Sequence, residues 1–344
     1  MPGPAGRSLR VVVAPDKFRG TATAGEICAA VAEVVLARGG TVRSVPQSDG
    51  GEGMLDVFGG ADRTTDVTGP LGVPVTAAWR LDPGGRAVVE TSAACGLALA
   101  GGAAGNRPEQ ATTRGVGELL AAALRAGATR ILVGLGGSAT TDGGAGAVAA
   151  LEEQGMAGAL AAAEVLVCCD VDTRFTDAAR VFGPQKGADP EAVRRLTERL
   201  RAQRQRYLAR YGLDPQLVRG SGAAGGLGGG LAVLGARLVP GHDLLAVESG
   251  LDAALDEGPD LVVTGEGRLD ATSLAGKVVG GVARRAAARG IEVVAVVGAA
   301  ARGVRPPGVT VLSLTERVGR ERALSDATGS VRTVLGEWLD ARAG

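Results

Sequence analysis

Short β-branched runs that break off into glycine-rich polar loops recur along this 344-residue chain, and no other feature limits its fold as much. Arg10 to Ala14 reads RVVVA and opens into Asp16-Lys17-Phe18-Arg19-Gly20 after Pro15. Val42 to Val45 opens into Ser48-Asp49-Gly50-Gly51-Glu52-Gly53. Thr129 to Leu135 opens into Gly136-Gly137-Ser138-Ala139-Thr140-Thr141-Asp142, and Asp260 to Thr264 into Gly265-Glu266-Gly267-Arg268-Leu269-Asp270. A strand that is apolar at every position must be covered on both faces, which is the situation of a parallel sheet flanked by helices. Helical patterns supply the cover at Thr23 to Leu36, Gly115 to Arg125 and Lys277 to Arg289, and Ile291 to Val297 is a further buried strand.

The texture changes after about residue 66. VTGPLGVPVTAAWRLDPGGRAVVE, from Val67 to Glu90, places turn signals between short strands and predicts an antiparallel or mixed region. Clean strand-helix alternation returns by about residue 260. The pattern predicts two α/β domains: residues 1–66 with 244–344 form a parallel, doubly wound sheet of Rossmann or flavodoxin type, and 67–243 form an inserted, mixed α/β domain. Length agrees, since roughly 150 residues make a domain.

Composition narrows the function. With 37 basic and 37 acidic residues the formal charge is zero, and only 2% of the residues are aromatic. That argues against nucleic acid or an anionic membrane as partner. The helix opened by Asp189-Pro190-Glu191 carries seven arginines, read as a solvated face. No stretch approaches the 18 apolar residues of a membrane span, and the N-terminus is not a signal peptide. Cys28, Cys95, Cys168 and Cys169 lack metal-site spacing and fit a reducing cytoplasm. His242, the only histidine, is read as a bland loop residue after Pro240-Gly241, and no GxSxG elbow is present.

The loops carry the chemistry. At the carboxyl ends of parallel strands they gather where open α/β sheets bind ligands, and glycines let backbone NH groups approach anionic oxygens. Carboxylates beside an anion site call for a cation, and Mg2+ held by one or two carboxylates and by substrate phosphates is the simplest. No Walker A sequence occurs, because Ala271 stands where its first glycine belongs. No GxGxxG occurs either, because Asp56 and Asp270 replace the third glycine. Only three of the 37 basic residues are lysine, and Lys17, Lys186 and Lys277 all fall in loop motifs. An ammonium is a compact point charge where arginine is a wide fork, so these three are candidates to neutralise a small anion.

Taken together the motifs resemble the bacterial glycerate kinases of the type I family. They are APDKF (14–18), SDGGEG (48–53), ETSAACGL (90–97), ATTRGVGELL (111–120), GLGGSATTDGGAG (134–146), CDVD (169–172), FGPQKGA (182–188), SGAAGGLGGGL (221–231) and DLVVTGEGRLDATSLAGKVVGGVA (260–283). The resemblance implies ATP- and Mg2+-dependent phosphorylation of D-glycerate, usually at the 2-hydroxyl, by a cytoplasmic two-domain enzyme with its site in the cleft. The chain departs from the family pattern between Ala150 and Val165, where it is short, and at Thr173-Arg174-Phe175-Thr176-Asp177.

On this reading Lys17, Asp49, Glu52, Asp170, Lys186 and Asp270 are the catalytic candidates, with Asp49 and Glu266 as metal ligands. Asp16, Gly50, Gly51, Ser138, Thr140, Asp142, Gly265, Glu266, Arg268 and Lys277 are expected to bind substrate or phosphate. Asp16 and Asp142 have a purely structural alternative as helix caps. The competing function is a catalytically silent paralogue that senses a hydroxy acid or nucleotide. Oligomeric state and the choice between 2- and 3-phosphoglycerate stay open at this level.

Overall fold

Strand β1 (Arg10–Pro15) shows why this sheet must be buried on both faces. Val11 and Val13 face one apolar cluster with Ile27, Val31, Val331 and Leu335, while Val12 and Ala14 face another with Leu251, Leu255, Val278 and Val282. Alternate residues of a strand point to opposite sides, so an unbroken apolar run serves two helical layers at once. The structure is a computed structural model that describes residues 8–274 and 277–343. Gly276, within the 260–283 motif and next to Lys277, lies outside the described residues.

The chain divides into two units: residues 1–49, 56–58 and 242–344 in the first, 50–55 and 59–241 in the second. In the first, β1 is joined by β2 (Thr41–Ser44) and, after the second unit's strands, by β9 (Leu261–Leu269), β10 (Glu292–Ala300) and β11 (Val309–Ser313). All neighbours are parallel and the order is β11-β10-β9-β1-β2. Counted within the unit this is 2-1-3-4-5, the flavodoxin-like order, whose strand direction of travel reverses between β1 and β9. Helix Ala24–Leu36 starts at a capping box in which the Thr23 hydroxyl accepts from the Glu26 NH and the Glu26 carboxylate accepts from the Thr23 NH.

The second unit is built on a six-stranded sheet, β3 (Arg63–Thr68), β4 (Pro74–Leu81), β5 (Arg86–Glu90), β6 (Arg130–Gly134), β7 (Glu164–Cys168) and β8 (Arg237–Val239), in that order. The pairs β3/β4 and β4/β5 are antiparallel and the rest parallel, so the sheet is mixed. Strand β3 begins at Arg63, so this sheet reaches a few residues earlier in the chain than the expected change at 66. Helix Pro190–Tyr211 is capped by the Asp189 carboxylate, which accepts from the Ala192 NH at 2.7 Å. It buries Leu196, Leu200 and Tyr207. Three of its arginines close ion pairs within the unit: Arg195 with Glu109, Arg204 with Asp214 and Arg210 with Glu152.

Two sequence expectations change here. The loop expected after Thr264 is strand as far as Leu269, because β10 runs on to Ala300 and offers partners for Gly265 to Leu269. His242 is not in a loop. It lies in helix Gly241–Glu248 with no solvent exposure, and it fits because Gly281 has no side chain: a Cβ there would come within 1.9 Å of the imidazole.

Candidate functional site

The first unit's cavity lies where the strand order reverses. Asp16 and Lys17 follow β1, Asp49 comes after β2, Glu266 and Arg268 lie two apart on β9, and Asp270 and Lys277 stand between β9 and the helix Val278–Ala287. All of them line one cavity of about 540 Å³. Lys17 donates its backbone NH to its neighbour's carboxylate, Asp16 Oδ1, at 2.7 Å, and the Asp16 NH donates to the Gly265 carbonyl at 2.8 Å. The turn after β1 is thereby tied to β9.

Burial, reinforced by the negative charge of Asp49, pushes the Asp16 carboxyl up to about 6, although Lys17 and Lys277 pull the other way. Burial likewise pushes Glu266 up to about 7, with Asp16 and Asp270 adding to the shift. Glu266 Oε1 is buried and has no hydrogen-bond partner among the described residues. Crowded carboxylates, one with an unmatched oxygen, stand here among lysines and arginines. Among the described residues no group of three or more His, Cys, Asp or Glu side chains is placed to hold a metal ion. Mg2+ needs only one or two carboxylates beside phosphate and water oxygens, and the unpartnered Glu266 Oε1 is the atom here that such an ion would satisfy. Arg19, Thr21, Thr315 and Arg320 also line this cavity and were missed in the sequence. Thr315 and Arg320 follow β11 within and after the helix Leu314–Val318, with no strand-then-glycine motif to mark them.

The remaining candidates lie in the second unit. Gly50, at φ +87°, sits so close to β7 that a Cβ would come within 2.4 Å of the Cys168 Cβ. Gly137, at φ +57°, would meet Glu52 Oε1 at 2.6 Å. Only glycine meets both demands, left-handed backbone and no side chain, so the 50–53 and 136–138 loops lie against each other with Glu52 beside Gly137. Lys186 is 3% exposed; its ammonium donates to Ser138 Oγ at 2.9 Å and to the Thr140 carbonyl at 2.6 Å. Burial pulls it down to about 8, against the opposing pull of Cys95 and Asp142.

Asp142 is a brace. Its Oδ2 accepts from the Thr113 NH at 2.9 Å, the Thr113 hydroxyl at 2.8 Å and the Gly146 NH at 3.1 Å, and its Oδ1 accepts from the Gly144 NH at 3.0 Å. These bonds tie the loop before helix Ala145–Glu153 to Thr113. Asp170 and Asp172 do not act as a pair. The first accepts from the Gly241 NH at 2.8 Å, and the second holds Arg219 in an exposed ion pair at 2.5 Å. The divergent stretch 173–177 contributes to the core: Phe175 is fully buried, with its ring edge-on to Tyr207 at 6.0 Å.

A flavodoxin-ordered sheet whose reversal point carries carboxylates and cations, joined to a mixed α/β unit with a buried lysine under a glycine loop, defines an α/β protein built to handle small anions. Comparison with known proteins narrows the class. The model of the glycerate kinase family matches residues 11–159 and 151–337, two segments that meet where the chain is short. An uncharacterized protein of Mycobacterium bovis is 42% identical over 94% of this chain and 89% of its own length. The glycerate 2-kinase of Escherichia coli K12 is 37% identical, covering 80% of this chain and 81% of its own. A crystal structure from Salmonella typhimurium LT2, named provisionally as a glycerate kinase 2, superposes with a TM-score of 0.82 at 31% identity, covering 98% of this chain and 100% of that one. The chain belongs to the glycerate kinase family. Among the described residues, no helix is long and apolar enough to cross a membrane.

Proposed function

We propose that this protein is a glycerate kinase that transfers the γ-phosphoryl group of ATP to D-glycerate, with 2-phosphoglycerate as product and Mg2+ as the companion ion. The cavity at the strand-order reversal carries this reading. Phosphoryl transfer asks a protein for positioning and charge neutralisation more than for covalent chemistry, and this cavity offers carboxylates, one with an unpartnered oxygen, next to two lysines and three arginines. Asp49 and Glu266 would hold Mg2+, which when bound neutralises charge on the phosphates. Lys17, Arg268 and Lys277 pair with phosphate oxygens. The base is either Asp270, in the first unit, or Glu52, in the second: the one beside the acceptor hydroxyl takes its proton as the O–P bond forms and ADP leaves. Four free cysteines support work in the reducing, ATP-containing cytoplasm.

The test is turnover of Mg-ATP with D-glycerate, against L-glycerate and other hydroxy acids, with phosphorus NMR of the product. D-Glycerate turnover giving 2-phosphoglycerate is expected. No product from any acid at millimolar concentration overturns the enzyme reading, and binding of nucleotide and D-glycerate without product supports a sensor instead. D270N and E52Q separate the two candidate bases, because the true one loses kcat while KM for ATP stays.

A further inference from the structure

Lys186 differs from the other two lysines: it is 3% exposed, whereas Lys17 and Lys277 line an open cavity. An ammonium can only donate, and both of its hydrogen bonds are donations, to Ser138 Oγ at 2.9 Å and to the Thr140 carbonyl at 2.6 Å. The lysine is held on its other side as well. Its own carbonyl accepts from the Asn106 amide at 2.8 Å, and the Thr140 carbonyl it grips lies against Gly225, where a Cβ would come within 1.9 Å of that oxygen.

The consequence falls on Ser138. One lone pair of its oxygen is taken by a cationic donor, and among the described residues its own O–H has no acceptor. Ser138 keeps 6% of its surface exposed, and it follows Gly136-Gly137 in the loop that packs against 50–53. A hydroxyl that accepts from an ammonium is a polarised donor, and charge-assisted bonds of this kind are the strong ones. It therefore selects an anionic oxygen over a neutral one.

We infer that Lys186 is a positioning residue that does not touch substrate: it turns the Ser138 hydroxyl outward as the donor that reads the carboxylate of a small hydroxy acid. This rests on the glycerate kinase reading and deepens it, by naming the group that distinguishes a hydroxy acid from a polyol of the same size. It also carries a built-in signature. A neutral Lys186 amine has a lone pair and can accept, so on losing its proton it draws the Ser138 O–H back to itself and the substrate loses its donor. Burial brings that proton loss down to about pH 8, opposed by Cys95 and Asp142, the titratable groups that face the lysine.

The experiment is the pH dependence of KM for D-glycerate in the wild type, Ser138→Ala, Lys186→Met and the double variant, with thermal melting of each and titration calorimetry of D-glycerate and glycerol. Wild-type KM is expected to rise at least tenfold between about pH 7 and pH 9. Ser138→Ala should raise KM at least tenfold at pH 7 and abolish the rise, and Lys186→Met added to it should cost no more. If the wild type turns over D-glycerate while Ser138→Ala keeps KM within twofold and keeps the wild-type pH profile, the inference falls and the function stands. If there is no turnover but D-glycerate binding is lost in Ser138→Ala, the inference stands and the function falls. Neither turnover nor binding overturns both. Should Lys186→Met fail to fold, Ser138→Ala and the wild-type profile still decide.

Discussion

The two units treat charge in opposite ways. The cavity of the first collects Asp16, Asp49, Glu266 and Asp270, and burial with mutual repulsion pushes Asp16 and Glu266 upward. The second closes one lysine away from water, so that burial pulls it down, and spends its ammonium on a serine and a carbonyl. An open cavity that mixes carboxylates with lysines and arginines is poised to take ions from solution. A sealed charge with its partners supplied is poised to hold a neighbour in place. On the proposed reading the same residue type serves as phosphate partner in one unit and as internal brace in the other, and exposure decides which.

The sharpest way to break this contrast is in the first unit. Asp49→Asn or Glu266→Gln should lower kcat at least a hundredfold in the ATP-coupled assay, in line with removal of one electrostatic element from a reacting centre, about 3 kcal/mol. Activity within twofold of wild type would reduce the carboxylates to scaffold. Lysine-to-arginine exchange comes next and separates the units. Lys17→Arg and Lys277→Arg should lose over tenfold in turnover with melting unchanged. Lys186→Arg should also melt earlier, because a wide guanidinium must enter a space closed to solvent, at a cost of about 1–3 kcal/mol. Equal melting for all three would erase the distinction between open and sealed sites.

His242 extends the contrast to a buried group with no partner supplied. Both ring nitrogens lack a hydrogen bond among the described residues, and burial, with the charge of Arg285 added, pulls the imidazole down to about 4. The unfolded chain takes up that proton near pH 6.5, the ordinary value, so below 6.5 folding must expel it. Stability should be full above about pH 6.5 and fall by about 3 kcal/mol toward pH 4. Urea melts across that range check it, with His242→Leu expected to flatten the acid limb.

The smallest effect lies in the helix Ala223–Ala232, interrupted by left-handed residues at Ala224, Gly225 and Gly226. Ala224, at φ 50°, is the one non-glycine in that conformation among the described residues. Ala224→Gly should stabilise by about 0.5–1 kcal/mol, read as a rise in urea midpoint, because the strain relieved exceeds the added chain entropy.

Much of this architecture was legible beforehand. RVVVA had to be a doubly covered strand, and Thr23 with Glu26 marked a helix start. The loop motifs located most cavity residues, because a parallel sheet places every strand's carboxyl end on one side. Arg320 and Thr315 escaped because the helices after β11 carry no conspicuous motif, and Asp142 looked like a ligand because two of its four internal donors come from Thr113, 29 residues away.

What the sequence determined alone was periodic and local: which runs are buried on both faces, where the helices start, where glycine must stand, and which three positions kept lysine. Tertiary structure decided the surroundings of each charge. It divided the candidates between two units, extended β9 through Gly265 and Glu266, sealed Lys186 against Ser138 and set His242 into the space left by Gly281. Side-chain period follows from bond geometry and is written in neighbouring residues. Burial and hydrogen-bond partners depend on residues tens to hundreds of positions away, which only the folded chain brings near.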